Sequence, residues 1–194
     1  MSTGKRFAKG QYGYLNYRKK TGWLHFSLLV LAGVLIFFTG LLLNKWEVSN
    51  IFTVLAILMV LPAARVLVSL VIMIPYKPIP EDLMKRLYPY KREGDELFFD
   101  LVFTSSEHVM HLDALYVTEH QAIGFVREDK DKKGKVQAYF EKELKNRQIN
   151  MVYYHADSEE KLAARMKKRP DQSGGSTNVQ ARKDLIDMIR TAIV

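Results

Sequence analysis

Two sets of polar side chains in the second half of the chain have residue types that chemistry uses. His108, His111 and Asp113 stand as His-x-x-His-x-Asp, offering imidazole and carboxylate groups of the kind that ligate zinc. On a strand His108 and His111 project to opposite faces, so shared ligation needs a turn between them. The other reading is a pair of ordinary strand-end histidines. Asp113, Glu128 and Lys130 form the second set. A hairpin turning at His120-Gln121 sets Asp113 opposite Glu128 and His111 opposite Lys130. Cross-strand partners hold their Cβ atoms about 4.5 to 5.5 Å apart, so two carboxylates and an ammonium gather at one open end of a sheet.

The elements that must position these groups follow from periodicity. Glu81 to Tyr90 carries Leu83, Leu87 and Tyr90 on one helical stripe, and three strands follow at Leu97 to Thr104, Met110 to Thr118 and Ala122 to Arg127. Glu128 to Lys135 reads as a charged loop. Lys135 to Gln148 has helical spacing, and Ile149 to His155 is a strand of β-branched and aromatic residues, in which His155 reads as structural. Asp157, with Glu160 three residues on, resembles a capping box that opens a helix running to about Lys168 and stopped by Pro170. Asp171 to Asn178 is a Gly/Ser connector, and Val179 to Ile193 is an amphipathic helix. The predicted order over residues 81–194 is α-β-β-β-α-β-α-α, an α+β arrangement large enough for one core.

The second strand, His-Leu-Asp113-Ala-Leu-Tyr-Val-Thr, and the third with its continuation, Ala-Ile-Gly-Phe-Val-Arg-Glu128-Asp-Lys130, resemble the PD-(D/E)xK nuclease superfamily, in particular its nuclease-related (NERD-like) domains. That family's core is α-β-β-β-α-β, with an acid on the second strand and Glu-x-Lys ending the third. The likeness covers Glu81 to about His155. It implies that Asp113 and Glu128 bind a divalent metal, Mg or Mn, and that Lys130 positions or polarises the attacking water. Arg127 departs from the pattern, standing where the family usually has an apolar residue. The run Glu128 to Gly134 also reads as a solvated charged loop.

Ahead of this domain lie two apolar runs, Trp23 to Leu43 and Ile51 to Ile74, joined by the polar stretch Asn44 to Asn50. Each exceeds the roughly 18 to 20 residues that cross a bilayer as a helix. Trp23 and Trp46 bracket the first run as interfacial rings do. Arg65 lies inside the second, about 13 Å from its end at about 1.5 Å per residue, and either snorkels to the lipid phosphates or meets a partner carboxylate or headgroup between helices. Pro62, one turn earlier, can kink the helix. A cleaved signal peptide is not expected, because the first run is too long for one and no small-residue cleavage site follows it.

The charge gives the runs a direction. The formal net charge is +8, and residues 1–22 contribute Lys5, Arg6, Lys9, Arg18, Lys19 and Lys20 with no acidic residue, whereas residues 75–194 hold 21 basic against 20 acidic. Clustered Lys and Arg beside a span stay in the cytosol, which predicts a multi-pass protein of the cell membrane with both termini cytosolic. The same flank attracts anionic lipid. A nearly neutral tail is poorly equipped for nucleic acid, whose affinity rests on phosphate neutralisation. The chain contains no cysteine, so disulfides and thiolate metal sites are excluded, and phosphate-loop, nucleophile-elbow and dinucleotide fingerprints are absent.

The sequence therefore describes a basic flank (1–22), a transmembrane hairpin (23–74), a stiff proline-bearing link (75–80) and a cytosolic α/β domain (81–194). Its expected role is a binding or regulatory module, on a scaffold that has lost nuclease activity if the resemblance holds. The alternatives are a metal-dependent nuclease or phosphodiesterase using Asp113, Glu128 and Lys130, and a subunit of a membrane complex acting through its hairpin. The protein partner is not specified.

Overall fold

The computed structural model describes residues 7–105, 109–127, 132–168 and 179–193. The chain divides into two compact units, residues 16–75 and, as the other, the residues up to Leu15 together with those from Tyr76 onward. The first contains nearly all of helix α1 (Tyr14–Leu43) together with α2 (Ile51–Leu58) and α3 (Val60–Met73). Helix α1 begins at Tyr14 rather than at Trp23 because nothing from Asn16 to Lys20 interrupts it, so Arg18, Lys19 and Lys20 are helical. The helical start is set by Gly13, at φ +82. The second apolar run is one span broken at Met59. Pro62, lacking an N–H, cannot bond the Leu58 carbonyl one turn back, which is where the break falls.

Asn50 caps α2 by accepting the Thr53 N–H at 3.0 Å. At the same end Gly40 lets the two helices approach, since a Cβ there would overlap Phe52. Helix α1 and the combined α2–α3 span are long and apolar enough to cross a membrane, and only 11% of the most apolar window of each is buried. Most of their leucines and isoleucines face outward, Leu24 at 69% and Leu61 at 68% exposure among them, while Leu41 and Leu70 are buried. A helix at the core of a soluble protein buries that stripe instead.

The second unit is built on a four-stranded sheet in the order β1-β2-β3-β4, with β1 (Glu96–Thr104), β2 (Val109–Val117) and β3 (Gln121–Phe125) antiparallel and β4 (Val152–Ala156) parallel to β3. The parallel step is made through α5 (Lys132–Asn146), as a parallel pair requires. Helices α4 (Glu81–Leu87), α6 (Glu159–Lys167) and α7 (Val179–Ala192) complete it. The α+β order α-β-β-β-α-β-α-α is the one read from the sequence. Two hydrophobic clusters flank the sheet: Val136 and Phe140 of α5 with Leu185 and Ile189 of α7 on one face, and Leu83 and Leu87 of α4 with Leu162 and Met166 of α6 on the other.

Several boundaries differ from the sequence reading. Pro89 ends α4 in a 3-10 turn, Tyr88–Tyr90. Helix α5 starts at Lys132, inside the expected charged loop. The cap of α6 is Ser158, whose hydroxyl accepts the Lys161 N–H at 3.2 Å, while Asp157 pairs with the Lys161 ammonium at 2.9 Å. Tyr76 to Pro80 is not a free spacer, for Ile79 is buried in the core beside α4. The Gly/Ser connector Asp171 to Asn178 and the basic residues Lys5 and Arg6 lie outside the described residues.

Candidate functional site

The sheet's regular alternation fails at one point. Phe98 and Leu101, three residues apart on β1, join the same cluster, as do Leu112 and Leu115 on β2. Phe99 pairs with Ala114 and Leu101 with Leu112, so the residues between them are Asp100 and Asp113. Asp100 takes φ +53, a left-handed conformation that Asp tolerates better than most residues, and this reverses which face the following side chains meet. Two buried carboxylates, 1% and 2% exposed, thus sit side by side in the middle of an apolar sheet.

Each is held differently. Asp113 is matched by Arg127, which follows the end of β3. The Arg127 backbone N–H donates to Oδ2 at 2.7 Å, while Nε and Nη2 donate to Oδ1 at 2.9 and 2.7 Å. Nη2 also donates to the Pro78 carbonyl at 3.0 Å. This is a charge-assisted, fork-like clamp of the sort that only arginine provides. Asp100 accepts the Ile79 N–H on Oδ1 at 2.6 Å, and its Oδ2 is buried without a hydrogen-bond partner among the described residues. Burial pushes the Asp100 carboxyl up to about 6, opposed by the N–H groups of Ile79 and Gly13, raised further by the Asp113 charge and lowered by Arg127.

The same spot gathers the two segments that lead out of residues 16–75. Gly13, just before α1, and Ile79, just after Tyr76, both bear on Asp100. One residue along β1, Phe99 donates its N–H to the Gly10 carbonyl at 2.8 Å. Gly10 is at φ +80, and a Cβ there would lie 2.5 Å from the Phe98 ring, so only glycine fits. Lys9 donates to the carbonyls of Arg190 and Ile193 at the end of α7. Ile193 also bridges Phe103, so the exposed edge of β1 is covered at both ends, which limits edge-to-edge association. Nearby, Tyr76 stacks on the His111 ring, with centroids 5.0 Å apart. In a further buried pair, the Tyr116 hydroxyl donates to Asp95.

The expected trio is thus only partly described. Asp113 is placed, whereas Glu128 and Lys130, like His108, lie outside the described residues. The register that was to bring them together is corrected by two residues: Ala114 pairs with Phe125 and Tyr116 with Ile123, which puts Asp113 opposite Val126 and not Glu128. The cause is the turn. The Thr118 N–H donates to the Gln121 carbonyl at 2.9 Å, and its hydroxyl accepts the N–H groups of His120 and Gln121, so the hairpin reverses at Glu119-His120. A hydroxyl bonding the backbone two and three residues on is a turn signal legible in Thr-Glu-His-Gln.

A cation at Asp113 would have to displace Arg127 from both oxygens. Among the described residues no group of three His, Asp or Glu side chains is arranged to hold a metal. Sequence reasoning missed Asp100. Its signal was a lone acid inside Phe-Phe-Asp-Leu-Val-Phe, since a charge in an apolar strand must find partners.

Comparison with protein-family models found no match, and searches of curated proteins and of solved structures found none either.

Proposed function

We propose that this chain is a two-pass protein of the cell membrane whose α/β domain lies in the cytosol and works as a binding or regulatory module. The hairpin reading is supported by two long helices whose apolar stripes are left outward and by the basic flank. The observation that carries the non-catalytic reading is the Arg127 fork on Asp113. The acid that a metal would need is already neutralised and desolvated, which suits a clamp on the Pro78 carbonyl better than an open coordination site.

The second reading is a metal-dependent nuclease or phosphodiesterase in which Asp113 and Glu128 hold Mg or Mn and Lys130 assists the water. It draws support from the element order α-β-β-β-α-β and from a buried acid on β2 beside a second carboxylate, Asp100. Purified full-length chain is incubated with Mg²⁺ or Mn²⁺ and single- and double-stranded DNA and RNA. The module reading expects no cleavage beyond that of Glu128→Ala. Metal-dependent cleavage abolished by both Asp113→Asn and Glu128→Ala would reject it in favour of the enzyme.

A further inference from the structure

The hairpin unit contains a cleft of about 160 Å³ between α1 and α3, lined by Arg18, Gly22 and His25 from one helix and by Arg65, Ser69 and Leu70 from the other. Two guanidinium groups and an imidazole therefore face one space. Residues 16–75 hold a single acidic residue, Glu47, and it lies in the connection between α1 and α2, at the far end of the helices. The nearest carboxylate in the unit is more than 20 residues along α1 from Arg18 and His25, or about 30 Å at about 1.5 Å per residue. Arg18 also keeps its Nε buried and without a hydrogen-bond partner among the described residues. Buried donors are ordinarily satisfied, so this cleft holds unmet positive charge.

Its level along the hairpin says what would meet it. The Lys19 ammonium donates to the Ile74 carbonyl at 3.3 Å, so Arg18 stands level with the end of α3. Arg65 lies about two turns deeper, roughly 12 Å at about 1.5 Å per residue. An anion entering from the membrane surface reaches Arg18 first and Arg65 last, with the Ser69 hydroxyl one turn above Arg65. At about 160 Å³ the cleft is large enough to admit a phosphate group. Arginine forks are suited to phosphate oxygens.

We infer that this cleft binds the phosphate of an anionic phospholipid of the leaflet facing the basic flank, drawn between Arg18, His25 and Arg65. The inference rests on the membrane-hairpin reading. It also accounts for a charge whose isolated insertion costs at least about 2.5 kcal/mol.

Full-length chain is reconstituted in nanodiscs of phosphatidylcholine containing increasing phosphatidylglycerol, released gently, and examined by native mass spectrometry for retained lipid. Wild type should keep phosphatidylglycerol, and Arg18→Gln and Arg65→Gln should each lower retention about tenfold or more, as expected when a charge-assisted bond is lost. Lys20→Gln, on the same flank but outside the cleft, should retain it as wild type does. Equal losses in all three variants would make the flank a diffuse attractor, and equal retention in wild type and both arginine variants would leave no site; either overturns the inference. Displacement of the lipid by millimolar inorganic phosphate would assign the free ion as ligand, and retention in its presence assigns the headgroup. Removing the Arg65 charge lightens insertion, so misfolding does not confuse the result. A wild-type chain that washes out of membranes at alkaline pH would instead refute the hairpin reading itself.

Discussion

Asp100 illustrates how one buried acid can set the pH response of a domain. Its carboxyl titrates near 6 in the folded chain against 3.8 for an ordinary side chain. Between those values the folded state holds the extra proton, so its contribution to stability is greatest below about pH 4 and falls as pH rises through 6. At about 1.36 kcal/mol per pKa unit the loss amounts to about 3 kcal/mol. Asp100→Asn keeps an acceptor for the Ile79 N–H and cannot ionise. Denaturant titrations of the full chain in detergent should show the variant gaining about 2 kcal/mol on wild type from pH 4 to 7, and a constant difference would contradict the assignment. Arg127→Gln should act the other way, leaving the Asp113 anion buried with only a backbone donor at a cost of about 3 to 5 kcal/mol. Adding Asp113→Asn to it should recover part of that loss; no recovery would mean that Arg127 acts through packing alone. Asp113 was legible in the sequence as a residue of consequence, but its partner was not. A two-residue slip in the hairpin, fixed by the Thr118 hydroxyl, exchanged Glu128 for the neighbourhood of Arg127, and no periodicity reports a slip that preserves the face of every side chain.

At the level of elements the order of helices and strands was legible because each carries a strong period. Their ends were less so, since ends are decided by single hydrogen bonds. Helix α6 shows the difference. Asp157 and Ser158 both qualify as caps by residue type, and only geometry shows that Ser158 takes the Lys161 N–H while Asp157 makes an exposed ion pair with the same residue's side chain. Ser158→Ala should therefore cost about 1 kcal/mol and Asp157→Ala no more than about 0.5 kcal/mol. The reverse ranking in thermal melts would restore Asp157 as the cap. Helix α1 gives a second case. Its apolar run marks the membrane-length stretch, yet the helix begins at Tyr14 because helicity continues until Gly13 stops it, so Arg18 projects from a helix rather than from a loose tail. Without that extension Arg18 would not share a cleft with Arg65.

For the molecule as a whole, the proposed topology follows from two independent constraints. Two antiparallel spans return the chain to the side from which it started, so the flank and the domain share a compartment whichever way the hairpin inserts. The flank then chooses the side together with Lys77, Lys85, Arg86, Lys91 and Arg92 just after the second span, because the connection between the spans carries only Lys45 against Glu47 and has little positive charge to compete with them. Reporters fused ahead of Met1 and after Val194 should both report the cytosol. Neutralising Lys5, Arg6, Lys9, Arg18, Lys19 and Lys20 together should move both reporters outward in a fraction of molecules, in parallel, since neither end can change sides without the other. Reporters that separate, one inside and one outside, would show that one of the two helices does not span, and the domain's proposed compartment would then have to be assigned from the second helix alone.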